Sequence, residues 1–197
     1  MALAYTDKDA TPQTAFLGSY IQSLRSALDT VNLNELEKAV TWFKEARDEG
    51  RRIFVLGNGG SASSASHFAT DIVKGASYGH EKRFRIIALT DSMSTVTAYA
   101  NDVSFDCVFA EQLKNFAEPG DVVLAISSSG NSPNVLRAVE CANELGCRTI
   151  GMTGRDGGKL GPISQINLHV GEAHTGRIED AHMVMCHMIA YYFMEAR

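Results

Sequence analysis

Phe16, Tyr20, Leu24 and Leu28 recur at every fourth position, and after Asn32-Leu33-Asn34 the rhythm restarts with Leu36, Val40 and Phe43. Apolar residues at that interval line one face of a helix. The first fifty residues are therefore predicted to be helical, as one broken helix or two short ones ending before Gly50. Asn34 followed by Glu37 has the spacing of a capping box, with Asn in place of Ser or Thr. From residue 51 the pattern changes to short apolar, β-branched runs: IFVLG (53–57), RIIAL (85–89), DVVLAIS (121–127), RTIGMT (148–153) and INLHV (166–170). Segments of helical character are predicted at about 61–74, 92–100, 105–117 and 132–145, with a last helix from about 177 to the end. Near-continuous apolar strands alternating with helices imply a parallel sheet covered on both faces. The expected fold is a doubly wound α/β domain over residues 51–197, with a mostly parallel five-stranded sheet. A helical extension over 1–50 precedes it, suited to assembly or to covering the sheet.

Composition narrows the function more than the fold. The chain has 197 residues, 45% apolar and 21% charged, which fits one substantial core. A net charge of −5 gives no support for a nucleic-acid partner. The apolar run AHMVMCHMIAYYFM (181–194) is too short to span a bilayer and holds two histidines, so no membrane association is expected. The start MALAYTDKD lacks the basic and apolar regions of a secretion signal. Cys107, Cys141, Cys147 and Cys186 form no CxxC pair and read as free intracellular thiols, giving a cytoplasmic expectation.

Ligands of doubly wound sheets bind beyond the carboxyl ends of the strands, and two unusual loops fall there. GNGGSAS follows the first strand and opens a helix, where glycines allow close backbone approach and free N–H groups favour an anion. It is not a dinucleotide fingerprint, since a GxGxxG frame would read Gly57, Gly59 and Ala62, and no nucleotide cofactor is expected. AISSSGNSPN (125–134) leaves the third strand with Ser127, Ser128, Ser129 and Ser132, four hydroxyls crowded at one strand end. Such a cradle suits the many acceptors of a phosphate on a small molecule, held by neutral donors without a clamp of lysines.

A second constellation lies on two helices. His67 and Asp71 are four apart on one helical face. Glu179 and His182 are three apart on the terminal helix, and His187 is eight beyond Glu179, about 80° round the axis. Two histidines and two carboxylates could meet there, a ligand set for zinc or another borderline divalent ion. The competing reading has His187 packed in an apolar helix and His182 turned to solvent.

GNGGSAS…HFA, SSSGNSPN, TGRDGGKL (153–160) and RIEDAHMVMCH (177–187), in that order, resemble the sugar isomerase domain family, in its phosphoheptose isomerase branch. The resemblance spans nearly the whole chain. It implies an isomerase that converts sedoheptulose 7-phosphate to D-glycero-D-manno-heptose 7-phosphate through an enediol. It implies phosphate binding by Ser61, Ser127, Ser128, Ser129 and Ser132, with Asn58 and Gly59 shaping the first loop. It further implies Asp71 as base, His187 as acid partner, and one zinc per subunit held by groups matching His67, Asp71, Glu179 and His187. Glu179 counts among the substrate-binding residues too, and Asp102 would orient the histidine or bind a sugar hydroxyl. His174, Thr175 and Arg177 would touch the sugar or a neighbouring subunit. The chain departs from the branch at Asp71, one methylene shorter than the usual glutamate, and at Glu179, where glutamine is usual. The family also holds non-catalytic sugar-phosphate sensors, a replication-initiator-binding relative and isomerases of other phosphosugars. The paired Asp71 and His187 favour an enzyme. A terminal helix apolar on more than one face, with four methionines and two tyrosines, points to a subunit interface, and the resemblance implies a homotetramer with intersubunit sites.

Overall fold

A computed structural model describes residues 11–195 of the chain. The start assessed above for a secretion signal, and the first ten residues of the predicted helical region, lie outside the described residues. The helical region consists of two helices, α1 (Pro12–Leu28) and α2 (Leu33–Glu49). Thr11 caps α1 and Pro12 occupies its first turn, where a missing N–H does no harm. The cap of α2 is Asn32, not Asn34: Asn32 Oδ1 accepts from the Asn34 and Glu35 amides at 3.0 and 3.4 Å. Asn34 already lies within the helix, so the expected capping box with Glu37 does not form. The predicted stripe on α1 is covered only toward its C-terminal end. Leu24 and Leu28 pack on the core, whereas Phe16, Leu17 and Ile21 remain 65%, 61% and 54% exposed.

Five strands follow, β1 (Arg52–Gly57), β2 (Arg85–Ala88), β3 (Val122–Ser127), β4 (Arg148–Thr153) and β5 (Ile166–His169), all parallel in the order β2-β1-β3-β4-β5. Asp121, expected in the third strand, sits just before it and fastens its start. Its two carboxylate oxygens accept from the backbone amides of Arg52 and Glu118 at 2.8 and 2.9 Å. Helices cover both faces of the sheet. Ile53, Val55, Leu124 and Ile126 face α2, α3 (Gly60–Thr70) and α8 (Thr175–Glu195). Phe54, Leu56, Val123 and Ala125 face α5 (Ala110–Phe116) and α6 (Pro133–Glu144). A short α4 (Met93–Asp102) and α7 (Leu160–Ile163) complete the set.

Two predicted helices are broken. The segment expected over 61–74 is α3 continued by a π-helical turn, Asp71–Gly75. The segment expected over 105–117 divides into a 3₁₀ turn, Phe105–Cys107, and α5, because Ser104 Oγ accepts from the Asp106 amide at 3.1 Å and starts its own short turn. Strand order reverses between β1 and β3, so the loops leaving these strands diverge and open a crevice at their carboxyl ends. No described helix is long and apolar enough to cross a membrane. All four cysteines are free and buried, and burial lifts the Cys186 thiol to about 12.

His182 is fully buried on the inner face of α8, the reverse of a solvent-facing residue. Its Nε2 lies 3.1 Å from the Thr153 carbonyl and ties α8 to the end of β4. Burial pushes the imidazole down to about 4. Between the unfolded value of about 6.5 and that folded value, the unfolded chain holds a proton that the native chain does not. This part of the stability is complete above pH 6.5 and is lost as pH falls toward 4, at up to about 1.4 kcal/mol per unit. Urea midpoints measured from pH 7.5 down to 4.5 should therefore fall, and H182Q should flatten the slope even if it is less stable throughout. An unchanged slope in H182Q would assign the acid sensitivity elsewhere.

Candidate active site

At the crevice, Asn58, Ser61, Ser127, Ser128, Ser129 and Ser132 line one cleft of about 200 Å³, together with Ile126, Arg155, Thr175 and Glu179. Each serine implied by the resemblance is present. Gly59 turns the first loop at φ 54°, in the region open to glycine, and delivers Ser61 to the first turn of α3. The two loops are locked by a reciprocal amide pair: Asn58 Nδ2 donates to Asn134 Oδ1 at 2.8 Å, and Asn134 Nδ2 donates to Asn58 Oδ1 at 2.9 Å. Asn58 thus ties the two loops together through a partner that the sequence pattern did not single out. Ser127 and Ser132 hydroxyls stand 3.3 Å apart, while the buried Ser128 Oγ has no hydrogen-bond partner among the described residues. A buried hydroxyl without a partner at a helix-flanked loop is a donor available to a ligand.

Farther along α3, three side chains converge. His67 Nε2 lies 3.4 Å from Asp71 Oδ2, His187 Nε2 lies 3.6 Å from the same oxygen, and the two imidazole nitrogens are 3.3 Å apart. The half-buried His187 leans on His67 edge to face, with centroids 5.1 Å apart, and does not pack into the apolar side of its helix. Asp71 Oδ2 is buried without a hydrogen bond. Ligand atoms held at 2.0–2.2 Å around a tetrahedral ion stand about 3.4 Å from one another. The separations found here match that edge, and the donor set of two imidazoles and a carboxylate suits a borderline divalent ion. The shorter Asp71 side chain still reaches both histidines.

Glu179 does not join this cluster. Its carboxylate lies beside Gly60, where an added Cβ would meet it at 2.8 Å. Helical angle places Glu179 and His187 on one broad face. Eight residues also separate them by about 12 Å along the axis, so Glu179 is level with the start of α3 and His187 with Asp71. Asp102 is exposed at the end of α4, accepts from Asn101 Nδ2 at 2.7 Å, and does not line the cleft of a single chain. Thr175 lines the cleft; His174 packs edge-on against Tyr20, and Arg177 forms an ion pair with Glu172. That pair fixes the entry to α8. Arg177 donates from Nε at 2.7 Å and the Ala173 and His174 amides at 2.7 and 2.9 Å, holding the Glu172 carboxyl down at about 2. Tyr20 Oη donates to Asp180 Oδ2 at 2.6 Å, fastening α1 to the same helix. The cleft has no lysine, in keeping with the loop composition, but Arg155 stands at its rim.

Comparison with known proteins identifies the family and the fold. Residues 18–154 match the family model of the SIS domain. A probable phosphoheptose isomerase of Thermoplasma volcanium is 40% identical over 173 residues, 88% of each chain. A phosphoheptose isomerase of Syntrophotalea carbinolica is 39% identical over 178 residues, 89% of this chain and 90% of that one. The solved phosphoheptose isomerase of Neisseria gonorrhoeae superposes with a TM-score of 0.83 at 32% identity, covering 92% of this chain and 96% of its own.

Removing the unpartnered Ser128 hydroxyl tests the cleft in two directions. Ser128→Ala should leave the melting temperature unchanged or slightly raised, since the native chain gives this group no partner. It should weaken binding of inorganic phosphate by about tenfold, the worth of one hydrogen bond. Calorimetric titration and a thermal melt check both, and undiminished phosphate affinity would remove Ser128 from the cradle.

Proposed function

Because the chain belongs to the SIS-domain family, and within it to the phosphoheptose isomerases, we propose that it isomerises sedoheptulose 7-phosphate to D-glycero-D-manno-heptose 7-phosphate. The observation that carries this reading is the joining of a hydroxyl-rich cradle to an Asp–His–His cluster by one helix, α3. Ser61 precedes His67 by six residues and Asp71 by ten, roughly 9 and 15 Å along the axis. An extended sugar phosphate of seven carbons can hold its phosphoryl group at one end of that span and its carbonyl at the other.

Ketose-to-aldose conversion moves a proton from C1 to C2. The Asp71 carboxylate takes the C1 proton, the electron pair closes the C1–C2 double bond, and O2 receives a proton from the His187 imidazole. In the second half Asp71 returns its proton to C2 while His187 recovers one from O1, leaving the aldehyde and the starting enzyme. Glu179, beside Gly60 at the cradle end, would accept hydrogen bonds from the sugar hydroxyls nearest the phosphate. A zinc ion, one per subunit, would be held by His67, Asp71 and His187, and when bound would polarise the substrate oxygens. Each of these side chains has a second polar atom beside the one that converges on the cluster, so holding the ion and handling a proton are compatible.

The exposed Phe16, Leu17 and Ile21 of α1 and Met188, Tyr191 and Tyr192 of α8 support a homotetramer. Asp102, remote from the cleft of its own chain, would then serve a neighbouring one. The protein is taken to act in the cytoplasm on a free sugar phosphate. Light scattering should give about four times the 21.3 kDa chain mass.

Incubation with sedoheptulose 7-phosphate in D₂O, with and without added zinc, tests the reaction by NMR. The aldoheptose phosphate should appear with deuterium at the reacting carbons. Asp71→Asn should lower turnover by at least about 1,000-fold, while leaving phosphate affinity within about tenfold. Competition against a chromogenic chelator should show one zinc per wild-type chain and at least about tenfold weaker binding in His67→Ala. Binding without exchange under either metal condition would instead favour a sugar-phosphate sensor or an isomerase of another phosphosugar.

A further inference from the structure

On the reading that the serine cradle holds the substrate's phosphoryl group, we propose that Arg155 is the cation that clamps it. Arg155 would thereby make the site selective for phosphorylated over unphosphorylated sugars. Of the ten residues lining the cleft, Arg155 alone carries a positive charge, and Glu179 alone a negative one. A phosphate dianion bound only by hydroxyls beside a carboxylate would lack a compensating charge. A guanidinium supplies it, with a planar fork that matches phosphate oxygens.

Three further observations place Arg155 in this role. Its guanidinium is exposed, and Nη2 donates to Thr175 Oγ1 at 3.3 Å, a neutral acceptor on the same cleft, so most of its N–H groups remain for a ligand. Glu172, whose backbone carbonyl accepts from the Arg155 amide, has its carboxylate already engaged by Arg177 and two amides. Most telling is the backbone. Arg155 has φ 55°, the one non-glycine residue in the left-handed region among the described residues. It is held there by its amide, which donates to the Glu172 carbonyl at 2.9 Å. The same loop uses glycine at 154, 157 and 158. An arginine in a conformation that favours glycine marks a position where the side chain is needed.

The loop bearing Arg155 is joined rigidly to the serine loop. The Gly154 amide donates to the Ser128 carbonyl at 3.2 Å, and the Leu160 amide to the Gly130 carbonyl at 2.9 Å. At Gly130 a Cβ would fall 2.2 Å from the Gly157 carbonyl oxygen, so the two backbones are in direct contact. The root of the arginine is therefore fixed with respect to Ser128 and Ser129, and only the side chain has to move onto the ligand.

The test uses the full chain, with inorganic phosphate as probe and turnover of sedoheptulose 7-phosphate as a second readout. Arg155→Gln should raise the phosphate Kd and the KM in parallel by about 10- to 100-fold, with kcat within about threefold and an unchanged melting temperature. Arg155→Lys should recover part of the affinity as a point charge. Arg155→Gly should lose it like the glutamine variant while melting no lower than the parent, because glycine relieves the backbone. A phosphate Kd within about twofold of the parent in Arg155→Gln would overturn the proposal. So would a loss of affinity that Arg155→Lys fails to reduce and that comes with equal losses of kcat and melting temperature. If the parent binds phosphate but does not isomerise the heptose, the reaction fails and Arg155 is decided by the phosphate titration alone. If the parent binds no phosphate, cradle and clamp fall together.

Discussion

Everything in the site depends on α3 and α8 lying side by side, in parallel, on one face of the sheet. Ala65, Phe68, Ala69 and Ile72 on one helix and Ala181, Met185 and Ile189 on the other belong to a single buried cluster over Ile53, Val55, Leu124 and Ile126. The small residues let the helices approach closely, and close packing leaves little freedom to slide. This axial register sets Glu179 beside Gly60 and His187 beside Asp71. A shift by one turn, about 5.4 Å, would dissolve both pairings at once. The helix starts are secured independently: α3 by the turn at Gly59, and α8 by the Glu172–Arg177 pair and the Tyr20–Asp180 hydrogen bond.

The two ends of the site differ in electrostatic character, as the proposed reaction requires. The cradle offers mainly neutral donors from backbone and serine, suited to an anion that must bind and leave repeatedly. The far end gathers a carboxylate and two imidazoles, groups able to change protonation. On the proposed reaction, separation along α3 would keep a bound phosphate dianion away from Asp71, so that its charge would not oppose proton abstraction there. Glu179 stands at the cradle end and lines the same cleft as Arg155, so the cation on the rim offsets its charge.

Much of this is legible in the residues. Alternating strands and helices give the parallel sheet, and crowded hydroxyls after two strands mark its ligand crevice, because both arise from local pattern. His67 and Asp71 declare themselves by spacing within one helix. The features that escape are those that depend on how separate elements meet. Glu179 and His187 share a helical face on paper, yet the axial register divides them between two parts of the site. His182 reads as a residue that could turn to solvent until the Thr153 carbonyl is found beside its ring. Asn134 and Arg155 lie in the SSSGNSPN and TGRDGGKL motifs, but nothing in the sequence shows an amide pair across 76 residues or an arginine forced to φ 55°. Asn32, as against Asn34, is a matter of two residues at a helix start, where several polar side chains compete for the same amides.

The shortened carboxylate at position 71 is best understood through the backbone that carries it. Asp71 opens the π-helical turn, and its carbonyl accepts from the Ala76 amide, five residues on, at 3.0 Å. A π turn inserts one residue into the helical cycle and rotates the residues beyond it, and such turns occur often at functional sites. Here the switch from α to π falls at the residue whose side chain must meet two histidines, one from its own helix and one from α8. An aspartate is stiffer than a glutamate, with one fewer rotatable bond, and loses less entropy when fixed. Its reach is shorter, so the position of the helix has to supply what the side chain lacks. The separations of 3.4 and 3.6 Å from Asp71 Oδ2 to the imidazoles show that it does. Aspartate at this position is therefore a different division of labour between backbone and side chain, and the contact of the carboxylate with both imidazoles is kept.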